Sequence, residues 1–357
     1  MTLPAVERTA LPGGLPVFTV TGSAPARRAL NHPRLASDPR RLPDPAHGFG
    51  GCRHQDDMFA AEGRHLLNSD GADHRRLRDV LAPRLSQEQA TSLRDPLEKA
   101  CHELLDAVGE TADLVAGYAR PLAVRATADA LGIPPADREA LTAATLARIN
   151  GGHPDDPEVR AAQTRLEHRW IRLLARKRRD RDPHGLLNHL LTAHGQGRLS
   201  AEELVSVALG LFSGGISPVT VFVVSGAVEL LRDPELRERL GDDRTVDDLF
   251  RRTVPFPVAS WRFALDDVEV DGTVIPSGSV VLVRLRTDDA TNLAFGAGPH
   301  YCPGAHLARL VGSLALRTLF GRFPHLRLAV DERELTWHGD LVERCYDSVP
   351  VQLTPTT

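Results

Sequence analysis

The longest uncharged stretch of the chain constrains the fold more than any other feature. Residues 204–228 contain no charged side chain, and about 20 apolar residues are enough to span a bilayer. The stretch also contains Gly214, Gly215, Pro218 and several serines, and it lacks the flanking basic cluster of a membrane anchor. A helix that is apolar on all sides also occurs at the centre of a large protein. We therefore predict a buried central helix and no membrane interaction.

Composition and charge narrow the class of protein. Of the 357 residues, 42% are hydrophobic and 25% charged, which is typical of a globular chain, and the net charge is −4. Nucleic-acid binding is not expected, because it requires clustered positive charge. The four cysteines lie far apart without a CxxC pair, and the first 21 residues lack the apolar segment of a signal peptide. These features predict a cytoplasmic protein.

The patterns of apolar residues predict a mostly α fold with a minor β-sheet. Ser200 and Glu203 have capping-box spacing, which places the start of the central helix near Ala201, and Ser86 with Gln89 predicts a second long helix. Residues 17–21 predict a strand, residues 268–283 a small hairpin sheet, and residues 307–319 keep helical spacing. No repeat or linker interrupts the sequence, so we predict one domain over residues 1–357. A single core of this size is at the upper limit unless a bound group fills its centre.

The most informative segment is the cysteine loop, residues 295–304, which reads F-G-A-G-P-H-Y-C-P-G. Gly296, Gly298 and Gly304 allow the backbone to approach a flat or bulky group, and a helix starting near residue 303 would favour the Cys302 thiolate. Such a thiolate is a metal ligand or a nucleophile. A zinc site would need four ligands where only His300 and Cys302 are at hand, and no hydrolase motif surrounds the cysteine. An inert buried cysteine would not explain the glycines.

Residues 295–309 resemble the haem-thiolate loop of the cytochrome P450 family, F-G-x-G-x-H-x-C-x-G-x-x-L-A-R. The matching residues are Phe295, Gly296, Gly298, His300, Cys302, Gly304, Leu307, Ala308 and Arg309. The resemblance implies a P450 fold that encloses haem b, with the Cys302 thiolate as the ligand of the iron and the loop glycines close to its sulfur.

Other segments of the chain resemble the same family in the same order. Residues 73–78 resemble its H-x-x-x-R helix, and residues 131–138 resemble a recurrent bacterial segment. The resemblance implies that the haem propionates are bound by His74, Arg78, Arg262 and His300. It also implies a small-molecule substrate, with Phe256, Val258, Ala259, Ile216 and residues 52–58 as candidate pocket walls.

The sequence departs from the family pattern at the periphery. The E-x-x-R pair becomes Asp248 and Arg251, whose shorter carboxylate stem predicts a looser bridge, and the third arginine of that cluster has no clear equivalent. Only residues 286–294 stand where the family has a longer meander. The N-terminus is short and lacks the usual first helix. These departures account for the small size of the chain.

The central helix departs from the family pattern in its chemistry. The family motif A-G-x-[DE]-T aligns with Gly214, Gly215, Ile216, Ser217 and Pro218. In ordinary members the acid and the alcohol deliver protons, a general-acid task that neither Ser217 nor Pro218 replaces. Proline also removes the hydrogen bond to the carbonyl of Gly214 and is expected to kink the helix. We regard Gly214, Gly215, Ser217 and Pro218 as the candidate catalytic positions, although Pro218 could simply fix a bend.

Three functions follow from the resemblance and its departures. The first is a haem-thiolate monooxygenase or oxidase of specialised metabolism, whose substrate or ordered water supplies protons. The second is a haem-thiolate enzyme that uses peroxide or rearranges an oxygenated substrate, and the third is a P450-like binding module without catalysis. The tuned Cys302 loop argues against the third. For the first, electrons would come from ferredoxin and ferredoxin reductase, with Arg309 and Arg317 adding positive charge to the docking face.

Overall fold

The computed structural model describes residues 4–10, 15–42, 63–149, 156–180, 185–339 and 344–353. Helices dominate these residues, as predicted. They are α1 Ser23–Asn31, α2 Gly71–Leu81, α3 Gln87–Ser92, α4 Arg94–Asp106, α5 Arg120–Leu131, α6 Pro135–Ile149, α7 Pro157–Asp180, α8 Leu186–Gly195, α9 Ala201–Arg232, α10 Pro234–Glu238, α11 Asp243–Thr253 and α12 Ala305–Arg322. A short π-helical segment, Val115–Ala119, precedes α5.

The central helix α9 begins where the capping box places it. The Ser200 hydroxyl accepts the N–H of Glu203 at 3.0 Å, and the Glu203 carboxylate accepts the N–H of Ser200 at 2.8 Å. Helices α5, α7, α8, α11 and α12 pack around α9. Its most apolar window is long enough to cross a membrane, and 72% of that window is buried inside the protein. The apolar face therefore serves the core, and α9 continues as one helix through Pro218.

A glycine brings α9 close to α5 beside the cavity described below. A Cβ atom at Gly215 would lie 2.6 Å from Oγ1 of Thr127, closer than any side chain tolerates. The absence of a side chain at residue 215 thus sets the spacing of these two helices.

The strands form small sheets at the edge of the helical core. They are β1 Val6–Ala10, β2 Pro16–Val20, β3 Leu35–Ala36, β4 Thr111–Asp113, β5 Arg262–Ala264, β6 Val268–Val270, β7 Thr273–Ile275, β8 Val280–Val283, β9 Arg327–Leu328, β10 Trp337–His338, β11 Cys345–Tyr346 and β12 Pro350–Gln352. The largest sheet has the order β1-β2-β8-β5-β3. The predicted fold class, mostly α with a minor sheet, is confirmed.

Two predictions from local sequence were wrong, one because of a distant strand and one because of a proline. β6 and β7 form the predicted hairpin, but β8 leaves it and pairs in parallel with β2, with Val17 opposite Val280. Strand β1, which the sequence did not indicate, forms by pairing with β2. The helix expected after Ser86 is also shorter than predicted, since α3 ends at Ser92 and α4 begins anew. Pro96, in the first turn of α4, has no N–H to continue the helix from α3.

Hydrogen bonds compensate for the two departures from the family pattern at Asp248 and at the short connection over residues 286–294. Asp248 accepts hydrogen bonds from Arg251 at 2.5 and 3.0 Å and from Arg252 at 2.8 Å, so the shorter stem does not loosen the bridge. Arg252, on the same helix, occupies the second carboxylate oxygen. The short connection is held to α11 by the side-chain amide of Asn292, which donates to the carbonyl of Asp247 at 2.9 Å. Its other end contacts α1 through Asp289 and Ser23.

Candidate functional site

The cysteine loop is held in shape by its own backbone. The N–H of Cys302 donates to the carbonyl of Phe295 at 2.9 Å, which closes the loop, and α12 begins three residues later. Gly296 and Gly298 have φ angles of 72° and 71°, in the left-handed region that favours glycine. A Cβ atom at Gly298 would also lie 2.5 Å from Oδ1 of Asn31 on α1. Both glycines are therefore required by this backbone.

The thiol of Cys302 lines a large cavity and is partly buried there. Burial raises its pKa, and the N–H of Gly304 and the charges of Arg78 and Arg309 oppose this effect. The start of α12 beside the sulfur favours the thiolate, as the sequence predicts, but burial has the larger effect on the pKa in the protein alone. A bound cation is what would make the thiolate the stable form here.

Two histidines from distant segments meet in the same cavity. The rings of His74 on α2 and His300 in the cysteine loop have centroids 4.2 Å apart. Burial, together with the charges of His300 and Arg78, lowers the pKa of His74 to about 4, and burial also lowers the pKa of His300. Within the described part of the chain, Nε2 of His74 and Nδ1 of His300 are buried without a hydrogen-bond partner. Each ring therefore presents an unused nitrogen.

Two arginines complete the polar side of the cavity. Arg262 is 1% exposed, and its guanidinium donates to the carbonyls of Ser260 and Trp261 at 3.0 and 3.1 Å. It forms no ion pair within the described ranges, and burial lowers its pKa to about 10. Arg78 donates to the carbonyl of Tyr301 at 2.5 Å. Arg262 is buried and Arg78 is half-buried, and neither has a carboxylate partner within the described ranges, which indicates a site for an anionic group.

Asp70 and Ser37 support His300 and were not found by the sequence analysis. Nε2 of His300 lies 3.1 Å from the Ser37 hydroxyl oxygen and 3.6 Å from Oδ1 of Asp70. Asp70 also accepts the N–H groups of Ser37 and Asp38. The one local signal was the position of Asp70 just before α2, where an aspartate is common for capping reasons alone.

The cavity brings most of the predicted site residues together. Its lining includes His74, Arg78, Arg262, Phe295, Gly296, His300, Cys302 and Gly304, together with Gly214, Gly215 and Pro218 from α9. Of the candidate pocket walls, Phe256, Val258 and Ala259 line it. Residues 52–58 lie outside the described residues.

Three predicted site residues do not reach the cavity. Gly298 packs against α1, and Ile216 and Ser217 on α9 are buried elsewhere, whereas Ser213 lines the cavity instead. The alignment to a motif gives the position along a helix. The face that each residue presents depends on how the helix is rotated in the fold.

Comparison with known proteins identifies the family. No protein-family model matches the sequence. The chain is 32% identical to the cytochrome P450 monooxygenase PikC of Streptomyces venezuelae, covering 97% of this chain and 87% of PikC. It is 31% identical to the 6-deoxyerythronolide B hydroxylase of Saccharopolyspora erythraea, covering 95% and 91%. The chain belongs to the cytochrome P450 family. Its fold agrees, with a TM-score of 0.83 to the tirandamycin C-bound P450 monooxygenase TamI over 98% of this chain and 94% of that one, at 29% identity.

The residues of this P450 fit the haem that its family implies. A haem carries one iron and two carboxylates, and the cavity offers one cysteine together with two arginines and two histidine nitrogens that have no carboxylate or hydrogen-bond partner, respectively, within the described residues. Cations that lack a carboxylate in the protein are matched by carboxylates on the ligand. The chemistry of these donors is therefore complementary to haem.

The two arginines expected on the docking face of this P450 are each paired with an acid. Nε of Arg309 lies 2.7 Å from Asp247, and Nη2 of Arg317 lies 2.8 Å from Asp243. Each charge is offset by a neighbouring acid, so less net positive charge remains on that face than the sequence alone indicates. Arg309 instead stabilises the cysteine loop, because its guanidinium stacks on the ring of Phe295 at 4.3 Å.

Proposed function

We propose that this P450 binds haem b through the Cys302 thiolate and oxidises a small or carrier-bound intermediate of specialised metabolism as a monooxygenase. The observation that supports this most directly is the convergence of Cys302, two histidines and two arginines on one otherwise apolar cavity. Haem, when bound, supplies an iron centre for oxygen activation, whose reactivity the thiolate increases.

Three groups of residues have different roles in holding the cofactor. Cys302 binds the iron, and His74, Arg78, Arg262 and His300 bind the propionates by charge-assisted hydrogen bonds. The loop residues Phe295, Gly296, Gly298 and Gly304 hold the sulfur in position. The N–H of Gly304, which already bonds to this sulfur, would moderate its charge.

The distal wall provides no acid and no alcohol at the positions where the family motif has them. Gly214, Gly215 and Pro218 line the cavity there, and the Ser217 side chain points elsewhere. General-acid steps contribute about 10²–10⁴-fold to a rate, and without an acid at the motif position we expect the substrate, or water that it orders, to supply the protons. This P450 thus works by substrate-assisted proton delivery.

The bacterial relatives support a proposal for the redox partners and the compartment. The curated relatives are bacterial P450s that include a 6-deoxyerythronolide B hydroxylase and the monooxygenase PikC. By analogy, ferredoxin and ferredoxin reductase supply the electrons in the cytoplasm. Because Arg309 and Arg317 are already paired, other basic residues of the cysteine side would contact the ferredoxin.

The spectrum of the reduced carbon monoxide complex tests the proposal. Thiolate ligation gives a strongly red-shifted Soret band, which we expect for the wild type and not for Cys302→Ala. Cys345→Ala, at a buried cysteine of β11 that does not line the cavity, serves as the matched control and should keep the band. Retention of the red-shifted band in Cys302→Ala would overturn the assignment.

A further inference from the structure

One hydroxyl in the wall of the cavity has no partner in the protein. Ser213 on α9 is 3% exposed and lines the cavity, and its Oγ makes no hydrogen bond within the described residues. A buried hydroxyl on a helix usually donates to the carbonyl four residues earlier, as Thr220 does to Ile216 at 2.9 Å. Ser213 does not, so its hydroxyl is left without a partner within the described residues.

A carbonyl next to Ser213 also lacks its usual partner. In a regular helix the N–H of residue 218 would donate to the carbonyl of Gly214, and Pro218 has no N–H. Gly214 and Pro218 both line the cavity. The wall therefore presents a hydroxyl that can donate or accept and a neighbouring carbonyl that can only accept.

The remaining wall around this pair is mainly apolar, apart from the hydroxyl of Thr127, which also lines the cavity. Side chains of Leu131, Val207, Leu211, Val219 and Phe256 line the cavity on and near α9. Among the described lining residues there is no aspartate or glutamate, so a cationic ligand would find no counter-charge. The chemistry of the wall fits a mainly apolar molecule that carries a neutral polar group.

We propose that Ser213 and the Gly214 carbonyl form an anchor for a hydroxyl group of the substrate. A hydroxyl accepts from Ser213 and donates to Gly214 at once, whereas an ether or ketone can use Ser213 only and a hydrocarbon neither. The proposal rests on the proposed function, because it takes this cavity as the substrate chamber. It names the substrate class as a mainly apolar alcohol and gives Pro218 a role, which is to expose the Gly214 carbonyl.

Three probes with one apolar body test the anchor. These are 1-adamantanol, 1-methoxyadamantane and adamantane, whose dissociation constants are measured by equilibrium dialysis against the ferric holoenzyme. We expect the wild type to bind the alcohol about tenfold more tightly than the ether. In Ser213→Ala the alcohol should lose about three- to tenfold in affinity, while the affinity for adamantane stays unchanged.

Two further variants separate the anchor from general effects on folding. Ser225→Ala removes a buried hydroxyl from α9 at a position that does not line the cavity. This variant should keep the wild-type preference for the alcohol over the ether and over adamantane. Ser213→Thr keeps the hydroxyl and should keep the preference for the alcohol. Equal affinities for the three probes, no binding of any probe, or an unchanged preference of Ser213→Ala for the alcohol over adamantane would overturn the anchor.

Failure of the anchor is distinguishable from failure of the proposed function. Dialysis needs neither reduction nor oxygen, so its outcome is independent of turnover. A red-shifted carbon monoxide spectrum with no alcohol preference would reject the anchor alone. A missing red shift would reject the haem-thiolate assignment whatever the probes show.

Discussion

The carboxylate of Asp70 lies 3.6 Å from Nε2 of His300, on a ring whose other nitrogen, Nδ1, has no partner in the described chain. Asp70 is itself fixed by the N–H groups of Ser37 and Asp38. It favours the charged ring against the effect of burial and orients Nδ1 for a ligand in the cavity. Asp70 is thus a positioning residue for His300.

Asp70→Asn should accelerate loss of haem without preventing folding. The amide keeps the shape but removes the charge that favours protonated His300, so the bond from His300 to a propionate weakens. We expect haem transfer to excess apomyoglobin to become about three- to tenfold faster, as for the loss of about 1 kcal/mol. Asp79→Asn, at an exposed position of α2, is the control and should transfer haem at the wild-type rate. Equal rates for the two variants would contradict this role.

The same carboxylate should make the stability of the protein depend on pH. Burial alone would raise the pKa of Asp70, but the contacts with His300 and the N–H groups of Asp38 and Ser37 hold it well below the ordinary value of 3.8. Its contribution to stability is therefore present above about pH 4 and is lost as the pH falls toward the folded-state pKa. In urea titrations, Asp70→Asn should be less stable than the wild type at pH 7, with a gap that narrows below pH 4. A gap of constant size would show that the charge is not responsible.

Arg262→Met should weaken haem binding without lowering the stability of the haem-free protein. The guanidinium is buried without an ion pair, so its removal takes away a desolvation cost while the apolar side chain fills the space. The haem dissociation constant should rise about 10- to 150-fold, the equivalent of one charge-assisted hydrogen bond. The melting temperature of the haem-free protein should not fall. Arg286→Met, at an exposed arginine, is the control. The double variant Arg78→Met with Arg262→Met tests the site further. If this double variant bound haem as tightly as the wild type, propionate binding by these arginines would be refuted.

Restoring the family residues on α9 should change how electrons are used. Ser217→Asp with Pro218→Thr reintroduces the acid and the alcohol, and Pro218→Thr alone should have most of the effect because residue 217 does not line the cavity. Under substrate-assisted proton delivery, the wild type without a suitable substrate should release much of its reducing power as hydrogen peroxide. The variant should change the ratio of peroxide to electrons consumed.

The oxygen-independent alternative gives the opposite result in the same assay. Turnover would then depend little on ferredoxin, and the variant would gain nothing. Full wild-type turnover in the absence of both oxygen and peroxide would defeat the monooxygenase assignment and leave a rearrangement.

Gly298→Ala should destabilise the protein more than Gly272→Ala, although the backbone strain is similar at the two positions. Gly298 and Gly272 both have positive φ angles, 71° and 78°, so alanine costs about 1 kcal/mol at either site. At Gly298 the new Cβ would also meet Asn31, whereas at Gly272 nothing lies within 4 Å. We expect a lower melting temperature and faster haem loss for Gly298→Ala than for Gly272→Ala. Similar behaviour of the two would show that the contact with α1 has no role.

Some properties of this P450 are local in the sequence and could be predicted from it. The capping box sets the start of α9 because both of its hydrogen bonds lie within four residues. The glycines of the cysteine loop and the i, i+4 spacing of His74 and Arg78 on α2 are likewise short-range features, and they predicted the position of the candidate haem site. In each case the residues that interact are close in the chain, so their spacing determines their geometry.

Only the tertiary structure decided which distant groups meet and which face of each helix reaches the cavity. The pairing of β8 with β2, the support of His300 by Asp70, and the acids beside Arg309 and Arg317 all join residues far apart in sequence. Ser213 reaches the cavity and Ser217 does not, although both lie on the same uncharged helix. A helix that is apolar on every side carries no pattern that fixes its rotation, so the packing of its neighbours determines which residues act.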